Sequence, residues 1–330
     1  MSFLRYAPLL MLALFPQASV AAKQAKRSQA APVSIRKIDY HGWKDALVIS
    51  NGLIEAVIVP AVNRIMQFRR PGAAGVFWEM AVLEVKAPAW VEEKWMNFGG
   101  DKAWPAPQSD WPRIAKSAWP PPTGFDSMPA MASVSGHTIE LVGAVDPHYG
   151  IRARRLITLA PRAAQMRVTT VFEKVSGEAV KIGVWTITQL KDPERVYVPV
   201  KPGRPGHLEG YVNQSKDLPP DLRVADGFVS LSRSPTLRCK IGAFSPTLLW
   251  QGAEELLKID SELHPRGEYP DQGSSAEVYT NPDPDAYVEL EMLGPLSVLK
   301  IGQKSRLTTT YTLLPRSQLS FVMKQLKSQR

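Results

Sequence analysis

The chain has 330 residues, 44% of them hydrophobic and 22% charged, with one cysteine and a formal net charge of +9. That apolar content suffices for a large core and excludes a collagen-like or wholly disordered chain; the single Cys239 excludes a disulfide-stapled scaffold. The charge is uneven: Arg5 sits at the extreme N-terminus, Lys23, Lys26, Arg27, Arg36 and Lys37 precede the first acid at Asp39, and the rest carries only +3. A nucleic-acid partner needs a basic face on the folded body and is therefore not expected.

In chain order, Met1 to Arg5 forms a short, positively charged start. Residues 6–15 are apolar but too few to cross a bilayer. Ala18-Ser19-Val20-Ala21-Ala22 offers small residues for cleavage. Residues 1–22 read as a secretory signal peptide, 23–37 as a basic disordered arm, and 38–330 as one folded domain. The protein is expected to be periplasmic or secreted, with no integral membrane segment after cleavage.

Residues 46–50 and 53–59 are apolar, β-rich runs around Asn51-Gly52, the strongest short-range hairpin signal. Pro60 ends the second run, 63–68 begins a third, and a turn at 72–75 leads into 76–79. Short turns between successive strands predict an antiparallel meander. After the Pro120-Pro121-Pro122 stop, strands are predicted at 131–135, 137–142, 151–159, 165–174 and 180–190. Further strands follow at 228–232, 236–243, 247–251, 255–259, 277–280, 287–292 and 305–314. Ser317 could cap a closing helix through Lys327. The fold class is all-β, a large antiparallel sandwich with a short C-terminal helix.

Between the early and later strands runs Lys94 to Pro112, within the stretch Trp78–Trp119 that holds six of the nine tryptophans. Prolines and Gly99-Gly100 interrupt it too often for a long helix, so it reads as a long ordered loop. Two readings stay open. The tryptophans could line a sugar cleft, stacking on the C–H face of a pyranose while Asp101, Lys102 and Gln108 bond hydroxyls. Alternatively, the loop is a lid whose rings form core.

Trp-Met-Asn-Phe-Gly-Gly-Asp-Lys-Ala-Trp-Pro-Ala-Pro-Gln (95–108) resembles the signature of domain of unknown function family 4380. Asn63-Arg64-Ile65, Arg154-Arg155-Leu156-Ile157-Thr158-Leu159, residues 184–189 and 287–291 match the same layout. The resemblance spans roughly residues 38–314. That family is similar to galactose mutarotases and related β-supersandwiches, which implies that fold and a carbohydrate ligand on its concave face. Mutarotases use a histidine and a glutamate; His148 lies in a comparable part of the chain, in an Asp-Pro-His-Tyr-Gly turn context.

Ring opening of an aldose needs an acid and a base. Glu277, at a strand start, and Asp101 are the carboxylates selected, with His148, as catalytic candidates. Glu289 and Glu291 share one strand face. Arg64 and Lys102 could hold the carboxylate of an acidic sugar or pair with a nearby glutamate. Trp104, Gln108 and Trp111 are the expected binding residues, with Arg152, Arg154 and Gln189 as further sheet-face positions. The five histidines show no metal spacing, and no nucleophile elbow or phosphate loop is present; neither a metal nor a cofactor is expected. The expected partner is a sugar or glycan, with oligomeric state left open. The alternatives are an epimerase, hydrolase or lyase using carboxylates, and a non-catalytic envelope protein. N-terminal sequencing of the exported form should begin at Ala22 or Lys23; recovery of Met1 on exported protein would contradict the leader.

Overall fold

The computed structural model describes residues 32–80 and 95–329. The signal peptide, residues 23–31 of the arm, and Lys94 lie outside the described residues. Ser34–Tyr40 is already a strand, paired antiparallel with Trp43–Ser50. Ser34 to Lys37, expected in the arm, therefore belong to the folded body.

The described strands form two sheets. The first runs Ser34–Tyr40, Trp43–Ser50, Glu55–Val59, Arg64–Arg69, Asp101–Ala106, Val180–Lys191, Tyr287–Leu293, Ala276–Thr280, Cys239–Ala243, Val212–Asn213, with Ser297–Leu299 also pairing Val180–Lys191. The second runs Arg223–Ala225, Phe228–Leu231, Arg195–Pro199, Thr247–Gln251, Glu255–Ser261, Lys304–Pro315, Gln165–Lys174, Ile151–Leu159, Thr138–Asp146, Met131–Ser135. Among the described residues the paired strands are antiparallel, as hairpin-linked strands require. The two sheets make the expected antiparallel sandwich, closed by a helix at Leu319–Ser328.

The pleat explains which sequences face where. Ile151–Leu159 alternates buried and half-buried residues along its length. Ile151, Ala153, Arg155 and Ile157 point inward, while Arg152 and Arg154 point out. Val180–Lys191 is instead buried on both faces through most of its length, since side chains of both parities are covered. One face packs on the second sheet, and the tryptophan-rich region covers the other.

Three expectations are corrected. Residues 101–106 are not loop: they form a strand inserted between Arg64–Arg69 and Val180–Lys191, with Pro105 opposite Val184. Residues 76–79 contribute only isolated bridges, Phe77 to Leu190 and Glu79 to Gly99. Ser317 does not cap the final helix, whose N-cap is Gln318 without a side-chain bond. The Gly99-Gly100 pair is required by close crossing. Both have positive φ, and a Cβ at Gly99 would meet the Trp78 carbonyl at 2.2 Å, one at Gly100 the Ile65 carbonyl at 2.5 Å. That crossing lets the chain turn from the Trp78 segment directly into the new strand.

Asp101 ties the sheets together. It is fully buried, accepts from Thr188 Oγ1 at 2.7 Å and from Tyr311 Oη at 2.6 Å, and pairs with Arg155 of the second sheet. Asp101→Asn would leave the Arg155 guanidinium buried without its counter-charge. It should cost about 3–5 kcal/mol in denaturant unfolding, the scale of a broken buried pair. A loss below about 1 kcal/mol would show that the network adds little.

Candidate functional site

Five neighbouring strands of the first sheet make a floor: Asp101–Ala106, Val180–Lys191, Tyr287–Leu293, Ala276–Thr280 and Cys239–Ala243. Residues two apart share a face. Register sets Trp104 opposite Trp185, Gln189 opposite Glu289, Glu291 opposite Glu277, and Tyr279 opposite Lys240. All lie on the face turned away from the Asp101 network. Trp95 and Trp119, from the tryptophan-rich region, add a wall, and the result is a cleft of about 590 Å³.

Buried carboxylates lock the indoles. Asp126, at the end of the short helix Thr123–Asp126, accepts from Trp104 Nε1 at 2.8 Å and Trp95 Nε1 at 3.1 Å. Arg64 donates to the same carboxylate at 2.8 Å and to the Gly99 carbonyl at 3.1 Å. Trp185 Nε1 donates to Glu291 Oε2 at 2.7 Å. Each of these indole N–H groups is spent on the protein, and Trp104 and Trp185 reach the cleft with only 4% and 3% of their surface. Trp104 and Trp185 meet edge-to-face at 5.5 Å between centroids. Lys102 Nζ lies 4.7 Å from the Trp104 ring and Lys240 Nζ 4.7 Å from that of Trp185, both in cation–π reach.

The charges are matched within the floor. Lys240 pairs with Glu277 at 2.8 Å and Glu291 at 3.0 Å; Lys102 approaches Glu289 at 3.5 Å. Burial pushes the Glu291 carboxyl well above its ordinary value, Lys240 opposes the shift, and Glu277 and Glu289 add to it. For Lys240, burial alone would lower the pKa, but the two glutamates outweigh it and raise it. Lys102 is lowered by burial, partly countered by Glu289. Behind the floor, Gln214 Nε2 donates to Glu277 Oε1 at 2.7 Å. Beside that pair, burial, with Glu277 adding, pushes the Asp271 carboxyl up to about 6.

One group in the floor stays unspent. Gln189 is 1% exposed and lines the cleft, yet its side-chain Oε1 has no hydrogen-bond partner among the described residues. A buried acceptor of this kind can be met by an ordered water or by a ligand donor.

The positions expected from sequence divide sharply. Lys102, Trp104, Gln108 and Gln189 line the cleft. Trp111 is fully buried behind it, donating to the Pro105 carbonyl at 2.8 Å, so it serves as core. Trp95, Trp104 and Trp119 thus line a cleft, while Trp111 packs as core. Arg64 is buried in the Asp126 pair behind the Trp104 ring, and Glu277 sits under Lys240; neither lines the cleft. Asp101 points between the sheets, because it is one residue from Lys102 and the pleat reverses its direction. His148 is an exposed turn residue of the second sheet, its backbone N–H held by Asp146 Oδ1. Arg152 and Arg154 are on that sheet's outer face, Arg154 bonded to Glu140. Sequence reasoning missed Trp119, Trp185, Lys240, Tyr279, Tyr287 and the orienting Asp126. The parity of Glu289 and Glu291 would have carried Tyr287, on the same face, into the set. Among the described residues no group of three or more His, Cys, Asp or Glu could hold a metal, and no helix is long and apolar enough to cross a membrane.

The chain matches the family described as domain of unknown function (DUF4380) over residues 45–314 and belongs to it. Among solved structures it is similar to a galactose mutarotase-like protein from Lactobacillus casei (TM-score 0.53, 8% identity, 82% of this chain and 100% of that one). It is also similar to a galactose mutarotase related enzyme from Lactobacillus acidophilus (TM-score 0.52, 11% identity, 82% and 97%). A galactose mutarotase-like protein from Clostridium acetobutylicum gives a TM-score of 0.50 at 8% identity, over 86% and 99%. A search of curated proteins finds no match. At these identities the likeness establishes the fold.

The raised carboxyls make a pH prediction. Asp271 and Glu291 bind a proton more tightly when folded than when unfolded. Their contribution to stability is full below the ordinary values of 3.8 and 4.5 and is lost as pH rises through the folded values. Denaturant midpoints should therefore carry a downward component from about pH 4 to beyond about pH 6. Glu291→Gln should flatten that slope relative to the unaltered protein; an unchanged slope would show that Glu291 is ionised in the fold.

Proposed function

We propose that this is an exported carbohydrate-interacting protein that binds a sugar or glycan in the cleft on the outer face of the first sheet. The observation that carries the reading is the Gln189 side-chain acceptor, buried and unpartnered in the same cleft as Trp104 and Trp185, whose ring N–H groups are already spent. A pyranose supplies what such a floor lacks: hydroxyl donors in the plane of the ring and C–H groups on its face. The mutarotase-like neighbours support the same class of ligand, and the leader read from residues 1–22 supports export. The cations first considered for an acidic sugar are matched internally, Arg64 by Asp126 and Lys102 by Glu289, which favours hydroxyl recognition over carboxylate capture.

One observation favours a catalytic version. Glu291 is held toward its protonated form while Glu289, two residues away on the same face, is the more exposed carboxylate in the cleft. Such a pair could give a proton to a ring oxygen and take one from the anomeric hydroxyl. Anomer interconversion followed by NMR tests it: acceleration lost in Glu289→Gln supports catalysis, and no acceleration leaves binding alone.

Trp104 is a poor probe of binding, since it is 4% exposed and packs on three other indoles. Trp104→Ala should cost about 3–5 kcal/mol of stability. Gln189→Ala is the cleaner variant. It should keep the melting temperature and weaken glycan binding by about 1 kcal/mol, the worth of one hydrogen bond, read by calorimetry and tryptophan fluorescence. Full glycan affinity in Gln189→Ala would remove that residue from the site.

A further inference from the structure

Resting on the reading of the cleft as a sugar site, we infer that it takes an oligosaccharide of about two or three pyranose units, not a free monosaccharide. The first argument is extent. From the strand carrying Lys102 and Trp104 to the strand carrying Lys240, the floor crosses four strand spacings, about 19 Å at roughly 4.8 Å each. A single pyranose with its hydroxyls covers roughly one and a half such spacings. The volume of about 590 Å³ also falls mid-way in the range of roughly 300–1,000 Å³ that holds ligands of several rings.

The second argument is the distribution of aromatic surface. Trp104 and Trp185 meet at one end of the floor, and Gln189 lies four residues further along the strand from Trp185, opposite Glu289. Trp119 forms a platform at the edge: it is 49% exposed, and its ring meets Trp95 at 4.8 Å and Trp104 at 5.9 Å. Trp119 lines the cleft with this exposed part of its ring. Across the floor, Tyr279 and Tyr287 meet at 6.3 Å on the strands toward Lys240. One ring seated on Trp104 and Trp185 would leave Trp119 or the tyrosine pair uncovered.

The third argument is the polar rim. Arg238 and Asp285 line the cleft, and neither makes an ion pair among the described residues. They add donors and acceptors for hydroxyls of a second or third unit.

The test is calorimetric titration of the exported protein with unbranched mono-, di-, tri- and tetrasaccharides of the common hexoses and hexuronates. In the series that binds, affinity should rise about tenfold per added unit and level off at the trisaccharide. A monosaccharide that binds as tightly as its own di- and trisaccharide would overturn the inference while leaving the sugar site standing. If no saccharide of any length produces heat or a fluorescence change, the sugar reading itself fails. Trp119→Ala, at a half-exposed position the fold should tolerate, supplies the second arm. It should lower trisaccharide affinity at least about tenfold more than monosaccharide affinity, with the melting temperature held. Equal losses, or none, would show that Trp119 is not a separate platform and would overturn the inference.

Discussion

The cleft depends on one buried carboxylate. Asp126 is wholly removed from water and is held by Arg64, Trp95 and Trp104 at once. A charge in such a place is tolerable only when paired and hydrogen-bonded, and here each oxygen has a donor. The consequence is directional. Two large rings that could otherwise rotate are fixed with N–H groups pointing into the protein. Arg64 in turn reaches the carbonyl of Gly99, which anchors the glycine crossing that feeds the strand Asp101–Ala106. Ring orientation, strand insertion and charge compensation are therefore one unit, and a substitution at Asp126 would disturb all three.

The same device recurs on the other side of the floor. Glu291 takes the N–H of Trp185 and shares Lys240 with Glu277, directly opposite it on the next strand. Two carboxylates facing each other across a ladder repel, and a lysine between them removes most of that cost only if one carboxyl keeps its proton. The two lysines lie over the two indoles and are paired with floor carboxylates, leaving little net charge where a ligand would sit. A polyol, which carries no charge and many hydroxyls, meets such a surface at low desolvation cost.

Much of the fold was legible because strand patterning is local. The strands Ile151–Leu159, Gln165–Lys174 and Thr247–Gln251 begin and end where alternation and β-branched runs predict. The misplaced region is the most informative one. Residues 101–106 contain Trp104 and Pro105, and proline argues against a central strand; tertiary context overrode that preference, since both edges of this segment found partners. Site residues were legible where the aromatic run marked them, as at Trp104 and Gln108. They were hidden where the signal is pairing between distant strands. Nothing near Lys240 in sequence announces Glu277 or Glu291, and Asp126 reads as an ordinary helix-end acid until the two indoles are seen bound to it.

Asp101 and Lys102 show why residue type alone misassigns function in a sheet. Both are buried, both are charged, and they are neighbours in the chain. The pleat sends one to each face. Asp101 meets Tyr311 and Arg155 of the opposing sheet and fixes the spacing of the sandwich. Lys102 meets Glu289 and the Trp104 ring and belongs to the cleft. A ligand pressing on Lys102 is thus one peptide unit from the contact that joins the sheets. The rigid Asp101 network gives the floor a fixed backing, so the polar groups of the cleft need little reorganisation to meet a ligand.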